Sequence, residues 1–401
     1  MIRRLLSCLL LWGCAAAALR AATPEEVNRV AGLEIFGEAE LWSESPKVVI
    51  GRLRLNGHTE KSGDKEIFSA QLKQDVFDCP ASEIRISAAG GKVTRLELIL
   101  LNKGDHPAKK GKRNVFKKDL HRQYTKLEKL LRSRFGRPRR AYFGAGTLSK
   151  QLPAWDCGPH VLLLDYAESE YLIVHIIPGK DAGEHRSRVS DSARVESKDS
   201  YAANVRHESN GDTFVDGVPM VNQGQKGYCV PATVERVLRY FGVSGVDMHK
   251  LAERANTGNG GGTTVDGIVH GTKKLLVEYG LRMRDAGKFR RPSICRYIDQ
   301  GIPVLWFHFS TPDFKKRLDE SLAERSNASP EEWKQHLAGL HKIRRSSEGA
   351  HVALLIGYNK DTDEFAVSNS WGERYRIAWV RFSDMEQVDA RVNIFVVTPR
   401  K

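Results

Sequence analysis

Cysteine is scarce in this sequence of 401 residues, which contains only six. They are Cys8, Cys14, Cys79, Cys157, Cys229 and Cys295. No Cys-x-x-Cys pair and no Cys/His cluster has the spacing of zinc ligands, so we expect neither a metal site nor another cofactor. In an oxidising compartment Cys79 and Cys157 can pair as a disulfide, and the sequence alone leaves this open.

Long apolar runs are also missing after the N-terminus. No later stretch reaches the roughly 18 apolar residues of a membrane-spanning helix, so we expect no transmembrane segment in the mature chain. The first 22 residues have two early arginines, an apolar core and a series of small residues. This pattern predicts a signal peptide and an exported protein, periplasmic or secreted. Residues 11–14 loosely resemble a lipoprotein signal, so lipid anchoring through Cys14 is an alternative that Trp12 fits poorly.

Acidic residues are outnumbered by basic ones, 49 against 63, which gives a net charge of +14 at pH 7. No nucleic-acid-binding motif accompanies this charge, so we expect no specific nucleic-acid partner. A charge that only favours solubility accounts for it most simply. Denser basic patches at residues 109–113 and 137–140 keep an anionic cell-envelope polymer open as a partner.

Low-complexity tracts and internal repeats are absent as well. A hydrophobic content of 41% and an aromatic content of 8% favour a globular protein over a disordered one. The length predicts more than one domain. We interpret residues 1–22 as the signal peptide, 23–178 as an N-terminal α+β domain of unknown role, 179–212 as a linker poor in apolar residues, and 213–401 as a second domain.

The N-terminal domain is predicted to follow the order strand, strand, helix, strand, strand. Residues 83–87 and 93–101 flank a Gly-Gly turn, and residues 161–166 and 171–177 flank a short polar turn. Between these pairs, residues 120–135 carry leucines at helical spacing. None of these elements contains a catalytic constellation.

The strongest chemical signal is a cysteine between a loop and a helix. Cys229 follows a glycine-containing loop and precedes an apolar helical pattern that ends at Gly242. Pro231 suits the first turn of a helix, where a missing N–H costs nothing. We therefore expect Cys229 at a helix N-terminus, where the helix dipole lowers the pKa of a thiol. A buried core cysteine is the alternative interpretation.

A predicted hairpin brings a histidine and an asparagine together. A buried apolar strand begins at His351, and the strand that returns after the turn ends at Asn369. A hairpin centred on the turn pairs residue 358 with 364 and residue 353 with 369. His351 and Asn369 then share one face of the sheet, where the asparagine amide can orient the imidazole.

These residues resemble the papain-like cysteine peptidases. Gln223 lies six residues before Cys229, at the spacing of that family's oxyanion-hole glutamine, and residues 369–372 read Asn-Ser-Trp-Gly. His351 lies 122 residues after Cys229, close to the family spacing of ~130–150. Residues 228–232, Tyr-Cys-Val-Pro-Ala, are most similar to bacterial C39-like peptidases. The resemblance covers residues 213–400 and implies an α+β fold, with a helical part and an antiparallel sheet.

The resemblance also implies roles for four residues. Cys229 attacks an acyl carbon, His351 transfers the proton, Asn369 orients His351, and Gln223 with the Cys229 backbone N–H stabilises the oxyanion. The implied activity is hydrolysis of a peptide or protein substrate through a thioester. Lys226 departs from the pattern, since papain-like peptidases usually have a disulfide cysteine there, and its ammonium would favour a thiolate. The alternatives are an inactive binding module, or an amidase or acyltransferase with the same triad.

Overall fold

A computed structural model of the protein describes residues 21–400, except for 107–112, 191–192, 194, 196–198, 259–261 and 346. Residues 1–20 of the predicted signal peptide, including Cys14, lie outside the described residues, and so does most of the basic patch at 109–113. No helix in the described ranges has both the length and the apolar character needed to cross a membrane.

The N-terminal half is built on an antiparallel sheet. Its strands are β1 (Gly57–Ser62), β2 (Lys65–Gln71), β3 (Asp75–Val76), β4 (Cys79–Pro80), β5 (Glu83–Ala89), β6 (Lys92–Asn102), β7 (Arg139–Phe143), β8 (Lys150–Cys157), β9 (His160–Ala167) and β10 (Tyr171–Pro178). β3 and β4 form a separate ladder, and the other strands lie in the order β1-β2-β5-β6-β10-β9-β8-β7. The helices are α1 (Pro24–Ala31), α2 (Pro46–Arg52) and α3 (Arg113–Phe135).

The two faces of this first sheet differ because successive side chains of a strand point to opposite sides. On β5, Ile84 and Ile86 are fully buried in an apolar cluster that includes residues of α1, α2 and α3. Between them Arg85 points the other way, and its guanidinium approaches Glu235 of the C-terminal half at 4.0 Å. The first sheet is therefore covered by its own helices on one face and by the C-terminal half on the other.

The C-terminal half combines helices with a second sheet. The helices are α4 (Asp199–Ala202), α5 (Cys229–Tyr240), α6 (Met248–Arg254), α7 (Val265–Glu278), α8 (Arg291–Ile298), α9 (Pro312–Glu324), α10 (Pro330–Gly339) and α11 (Phe382–Val388). The strands are β11 (Val205–His207), β12 (Asp212–Val215), β13 (Leu281–Asp285), β14 (Val304–Phe309), β15 (Ala350–Asn359), β16 (Glu364–Ser368), β17 (Ala378–Arg381) and β18 (Phe395–Pro399).

The second sheet is antiparallel as well, with its apolar core between the helices and the central strands. The strand order is β11-β12-β15-β14-β18-β13, and β16 pairs with both β15 and β17. The predicted α+β fold class is confirmed, because both halves combine helices with an antiparallel sheet. The predicted domain boundaries remain a prediction. Within the residues predicted as a linker, 179–212, lies β11, which pairs with β12 of the second sheet.

The predicted hairpin register is wrong next to the turn. Tyr358 pairs with Phe365 rather than with residue 364, which pairs with Asn359. A β-bulge between Leu355 and Gly357 then shifts the pairing by one residue, so that Leu354 lies opposite Ser368. The bulge inserts an extra residue in β15 and restores the predicted pairing at the far end of the hairpin, where His351 and Asn369 lie.

The cysteines of the described chain, Cys79, Cys157, Cys229 and Cys295, are free thiols. Cys79 and Cys157 are buried, and burial raises the pKa of Cys157 to about 12. The structure therefore holds no disulfide between Cys79 and Cys157.

Candidate active site

Cys229 is the first residue of α5, as the sequence predicts. Tyr228 precedes it as the N-cap residue, and Val234, Val237 and Leu238 form the fully buried side of the helix. The helix packs across β15, where the Thr233 hydroxyl donates a hydrogen bond to the Val352 carbonyl at 3.3 Å. The buried apolar stripe of α5 thus holds the N-terminus of the helix against the strand that carries His351.

His351 and Asn369 are in direct contact. The imidazole Nε2 lies 2.9 Å from the Asn369 Oδ1, and the Asn369 side chain is fully buried. An amide oxygen only accepts hydrogen bonds, so the Nε2 carries the proton and Nδ1 is the nitrogen free to accept one. The Trp371 ring packs beside the imidazole, and the two ring centroids are 4.7 Å apart.

The pKa of Cys229 shifts in the direction opposite to the sequence-based expectation. Burial raises the pKa of the thiol, and the backbone N–H groups of Val352, Val230 and Cys229 itself only partly offset this effect. The sulfur therefore lies next to Val352, the residue after His351. Withdrawal from water outweighs the helix dipole because desolvation penalises the thiolate directly.

His351 is also held in its neutral form. Burial lowers the pKa of His351 to about 4; the hydrogen bond with Asn369 opposes this shift, and the positive charge of Lys315 adds to it. Lys315 lies on α9, with its ammonium 5.4 Å from the centroid of the Trp371 ring. Above about pH 4 the imidazole is thus neutral and able to accept a proton.

A second histidine, His308, which the sequence predicts as a strand residue rather than a second base, lies beside the first. His308 pairs directly with His351 across β14 and β15, and the two ring centroids are 5.3 Å apart at nearly right angles. His308 is fully buried and stacks on Trp306, and burial together with the nearby His351 keeps its pKa well below the ordinary value. Only the pairing of β14 with β15 reveals this neighbour, and β14 lies more than 40 residues before β15 in the chain.

Gln223 is buried, and its hydrogen bonds link it to Lys226 and Ser370. Its side-chain Nε2 donates to the Lys226 carbonyl at 2.8 Å, and its Oε1 accepts from the Ser370 hydroxyl at 2.7 Å. Its backbone N–H donates to the Ser370 carbonyl at 2.9 Å. One N–H of the amide remains for another acceptor, as an oxyanion-hole donor requires.

Lys226 does not act on the thiol as expected. Its ammonium lies 2.6 Å from the Glu83 carboxylate, and both side chains are buried. Because the Glu83 carboxylate neutralises this positive charge, Lys226 is not among the groups that shift the pKa of the Cys229 thiol.

Within the described residues no group of three or more His, Cys, Asp or Glu side chains is arranged to hold a metal ion.

Parts of this chain are similar to known proteins. Residues 215–390 match the family model described as the Peptidase_C39 like family. A putative C39-like peptidase from Bacillus anthracis aligns with a TM-score of 0.30 and 15% identity, over 47% of this chain and 98% of that chain. Xylellain, a cysteine protease from Xylella fastidiosa, aligns with a TM-score of 0.32 and 11% identity, over 53% and 94%. A search of curated proteins found no match.

The family match confirms, for residues 215–390, the predicted resemblance to C39-like peptidases of the papain-like superfamily. Residues 215–390 are thus similar to cysteine peptidases. The match begins after the first sheet and does not include it.

Proposed function

We propose that this protein is an exported cysteine peptidase that cleaves peptide bonds through Cys229, His351 and Asn369. The observation that carries the proposal is the 2.9 Å hydrogen bond between the His351 Nε2 and the Asn369 Oδ1, beside a helix that begins at Cys229. This hydrogen bond leaves the His351 Nδ1 as the proton acceptor. Export rests on the N-terminal sequence pattern alone.

In the proposed reaction the Cys229 thiol loses its proton to the His351 Nδ1 as its sulfur attacks the scissile carbonyl carbon. The oxyanion accepts hydrogen bonds from the Gln223 side chain and the Cys229 backbone N–H. His351 returns the proton to the leaving amine, and a thioester remains. Water then attacks the thioester carbon, which releases the acid and restores the thiol.

The neutral ground state of the thiol and the imidazole has a consequence for this reaction. Burial disfavours both the thiolate and the imidazolium, so the two charges form together, when the proton moves from Cys229 to His351. Their mutual attraction then offsets part of the desolvation cost of each. We therefore expect proton transfer to accompany attack on the substrate rather than to precede it.

The test is peptide cleavage by the Cys229→Ala variant, measured with fluorescent casein and a fluorogenic peptide library. We expect cleavage to fall by at least about 1,000-fold, because loss of a catalytic nucleophile removes most of the rate enhancement. Cys295→Ala is the matched control, since Cys295 is also a partly buried free thiol and lies outside the site. It should retain wild-type cleavage.

Two outcomes would contradict the proposal. Wild-type protein that cleaves none of these substrates would indicate an inactive binding module. Wild-type protein that transfers the acyl group to an added amine in preference to water would indicate an acyltransferase.

A further inference from the structure

The loop that precedes Cys229 is held by the N-terminal half of the chain. The Lys226 ammonium binds the Glu83 carboxylate of β5 at 2.6 Å. The backbone N–H of Asn222 donates to a carboxylate oxygen of Glu60 on β1. The first sheet therefore contacts this loop at two separate points before the nucleophile helix begins.

A third contact lies at the start of the nucleophile helix. The Tyr228 hydroxyl donates a hydrogen bond to the Glu170 carboxylate at 2.6 Å and accepts one from the Gly104 backbone N–H at 3.0 Å. The Gly227 backbone N–H donates to the Gly104 carbonyl at 3.3 Å. Tyr228 is fully buried and is the N-cap residue of α5, so these bonds fix the residue directly before Cys229.

The glycine at position 104 allows this close approach. A Cβ atom on Gly104 would lie 2.7 Å from the nearest carbon of the Tyr228 ring, closer than such atoms approach one another. The turn that holds Gly104 follows β6 of the first sheet. The two halves of the chain are thus in close van der Waals contact at the N-cap of the nucleophile helix.

The contact between Glu83 and Lys226 also affects the orientation of the Gln223 side chain, through the backbone of Lys226. The Lys226 carbonyl accepts the hydrogen bond from the Gln223 Nε2, so the residue that Glu83 anchors also orients the Gln223 amide. Both members of the Lys226–Glu83 pair are at most 9% exposed. Because a buried ion pair tolerates little displacement, this pair restricts the conformations of residues 223–226.

Given the proposed peptidase function, we propose that Glu83, Glu170 and Gly104 are positioning residues for the oxyanion hole. Glu83 holds Lys226 and thereby the Gln223 side chain. Glu170 and Gly104 hold Tyr228 and thereby the backbone N–H of Cys229. The N-terminal half then supplies part of the catalytic geometry without touching the substrate.

The experiment compares Glu83→Gln with Glu278→Gln in the full chain. Glu278 also bonds across the two halves, to the Thr147 backbone N–H and hydroxyl at 2.9 and 3.0 Å, but it lies on α7, away from the loop. For Glu83→Gln we expect kcat to fall about 10- to 100-fold, with KM within about three-fold of the wild-type value, as when an oxyanion donor is displaced. Glu278→Gln should retain the wild-type kcat.

Alkylation by iodoacetamide separates the oxyanion hole from the thiol. Alkylation displaces iodide and develops no oxyanion, so its rate at Cys229 should stay within about two-fold of wild type in Glu83→Gln. Hydrogen exchange of the backbone amides of residues 223–230 should accelerate in Glu83→Gln and not in Glu278→Gln. Should Glu83→Gln fail to fold, Gly104→Ala provides the same readouts from the Tyr228 side.

Three results would overturn the inference. The first is an unchanged kcat in Glu83→Gln, and the second is unchanged exchange of residues 223–230. The third is an equal loss of kcat, alkylation rate and thermal midpoint in Glu83→Gln and Glu278→Gln, which would make the N-terminal half a scaffold only. If the wild type cleaves no peptide, the peptidase proposal fails by itself, and the exchange data alone then decide whether Glu83 positions the loop.

Discussion

The central strands of the two sheets are buried on both faces, but by different chemistry. In the second sheet, residues 352–356 of β15 read Val-Ala-Leu-Leu-Ile, and all are buried. In the first sheet, residues 83–86 of β5 read Glu-Ile-Arg-Ile, and all are buried as well. Alternation of charged and apolar residues therefore does not indicate a solvated face here. It indicates that one face meets an apolar core and the other a charged partner.

Buried apolar faces and buried charged faces contribute differently to the stability of the fold and to the specificity of its packing. Burial of apolar side chains, as in the second sheet, stabilises a fold in proportion to the area removed from water. A buried charged face gains little net stability, because desolvation offsets the attraction between its charges, but a mismatch is costly. The charged face of the first sheet thus determines how the two halves fit together, while the apolar clusters supply most of the stability.

The largest expected effect is the loss of stability when the apolar core beside the second sheet is disrupted. Trp306 on β14 is fully buried, stacks on Phe289, and donates a hydrogen bond from its Nε1 to Asp389 at 3.0 Å. Trp306→Ala should lower the free energy of unfolding by about 3–5 kcal/mol, the cost of a large cavity. Urea denaturation measures it; a loss below about 1 kcal/mol would mean that this core is not the main source of stability.

A smaller effect is expected on the charged face. Arg85 is almost completely buried and lies 3.7 Å from Glu83 and 4.0 Å from Glu235. Arg85→Met should cost up to about 3 kcal/mol, because it removes one of the cations that face the buried carboxylates of Glu83 and Glu235. Addition of Glu235→Leu should recover part of that loss, because it removes one carboxylate that Arg85 faced, while Arg239 keeps Glu60 as an acidic neighbour at 3.7 Å. A double variant less stable than the single one in urea denaturation would show that the pair itself stabilises the protein.

The smallest effect depends on pH and concerns Glu170. Burial raises the pKa of Glu170 to about 7, although the Tyr228 hydroxyl and the Lys103 ammonium oppose the shift. In the unfolded chain the carboxyl ionises near pH 4.5, so its contribution to stability is complete below that pH and is lost as the pH rises through 7.

The Glu170→Gln variant isolates this contribution because an amide does not ionise. Relative to wild type, the variant should gain roughly 2–3 kcal/mol of stability between pH 5 and pH 8, since each pKa unit is worth about 1.4 kcal/mol. Thermal unfolding at the two pH values measures the difference. Parallel pH profiles for the two proteins would show that Glu170 ionises at its ordinary pKa.

Several elements escaped the sequence analysis for identifiable reasons. β1 reads Gly-His-Thr-Glu-Lys-Ser and has no apolar alternation, because it is an edge strand with mostly exposed residues. β8 contains Pro153, which is rare inside a sheet because it lacks an N–H donor. The strands that were predicted have either long apolar runs, as β9 and β10 do, or a regular alternation of apolar residues, as β5 does.

The sequence by itself determined the local elements of the candidate site. A helix begins at Cys229, a buried strand carries His351, a returning strand leads to Asn369, and Gln223 precedes the helix, because apolar periodicity and turn residues act over short distances. It also determined the resemblance to papain-like peptidases, which the family match over residues 215–390 confirms.

Tertiary structure decided the properties that depend on neighbours distant in the chain. The pKa of the Cys229 thiol is raised, against expectation, because burial depends on every element packed around the sulfur. His308 lies beside His351 because β14 pairs with β15. Lys226 and Tyr228 bind Glu83 and Glu170, more than 140 and 55 residues earlier in the chain, because the charged face of the first sheet docks on the nucleophile loop. Sequence patterns report local periodicity, whereas desolvation and ion pairing are set by which surfaces meet in the folded chain.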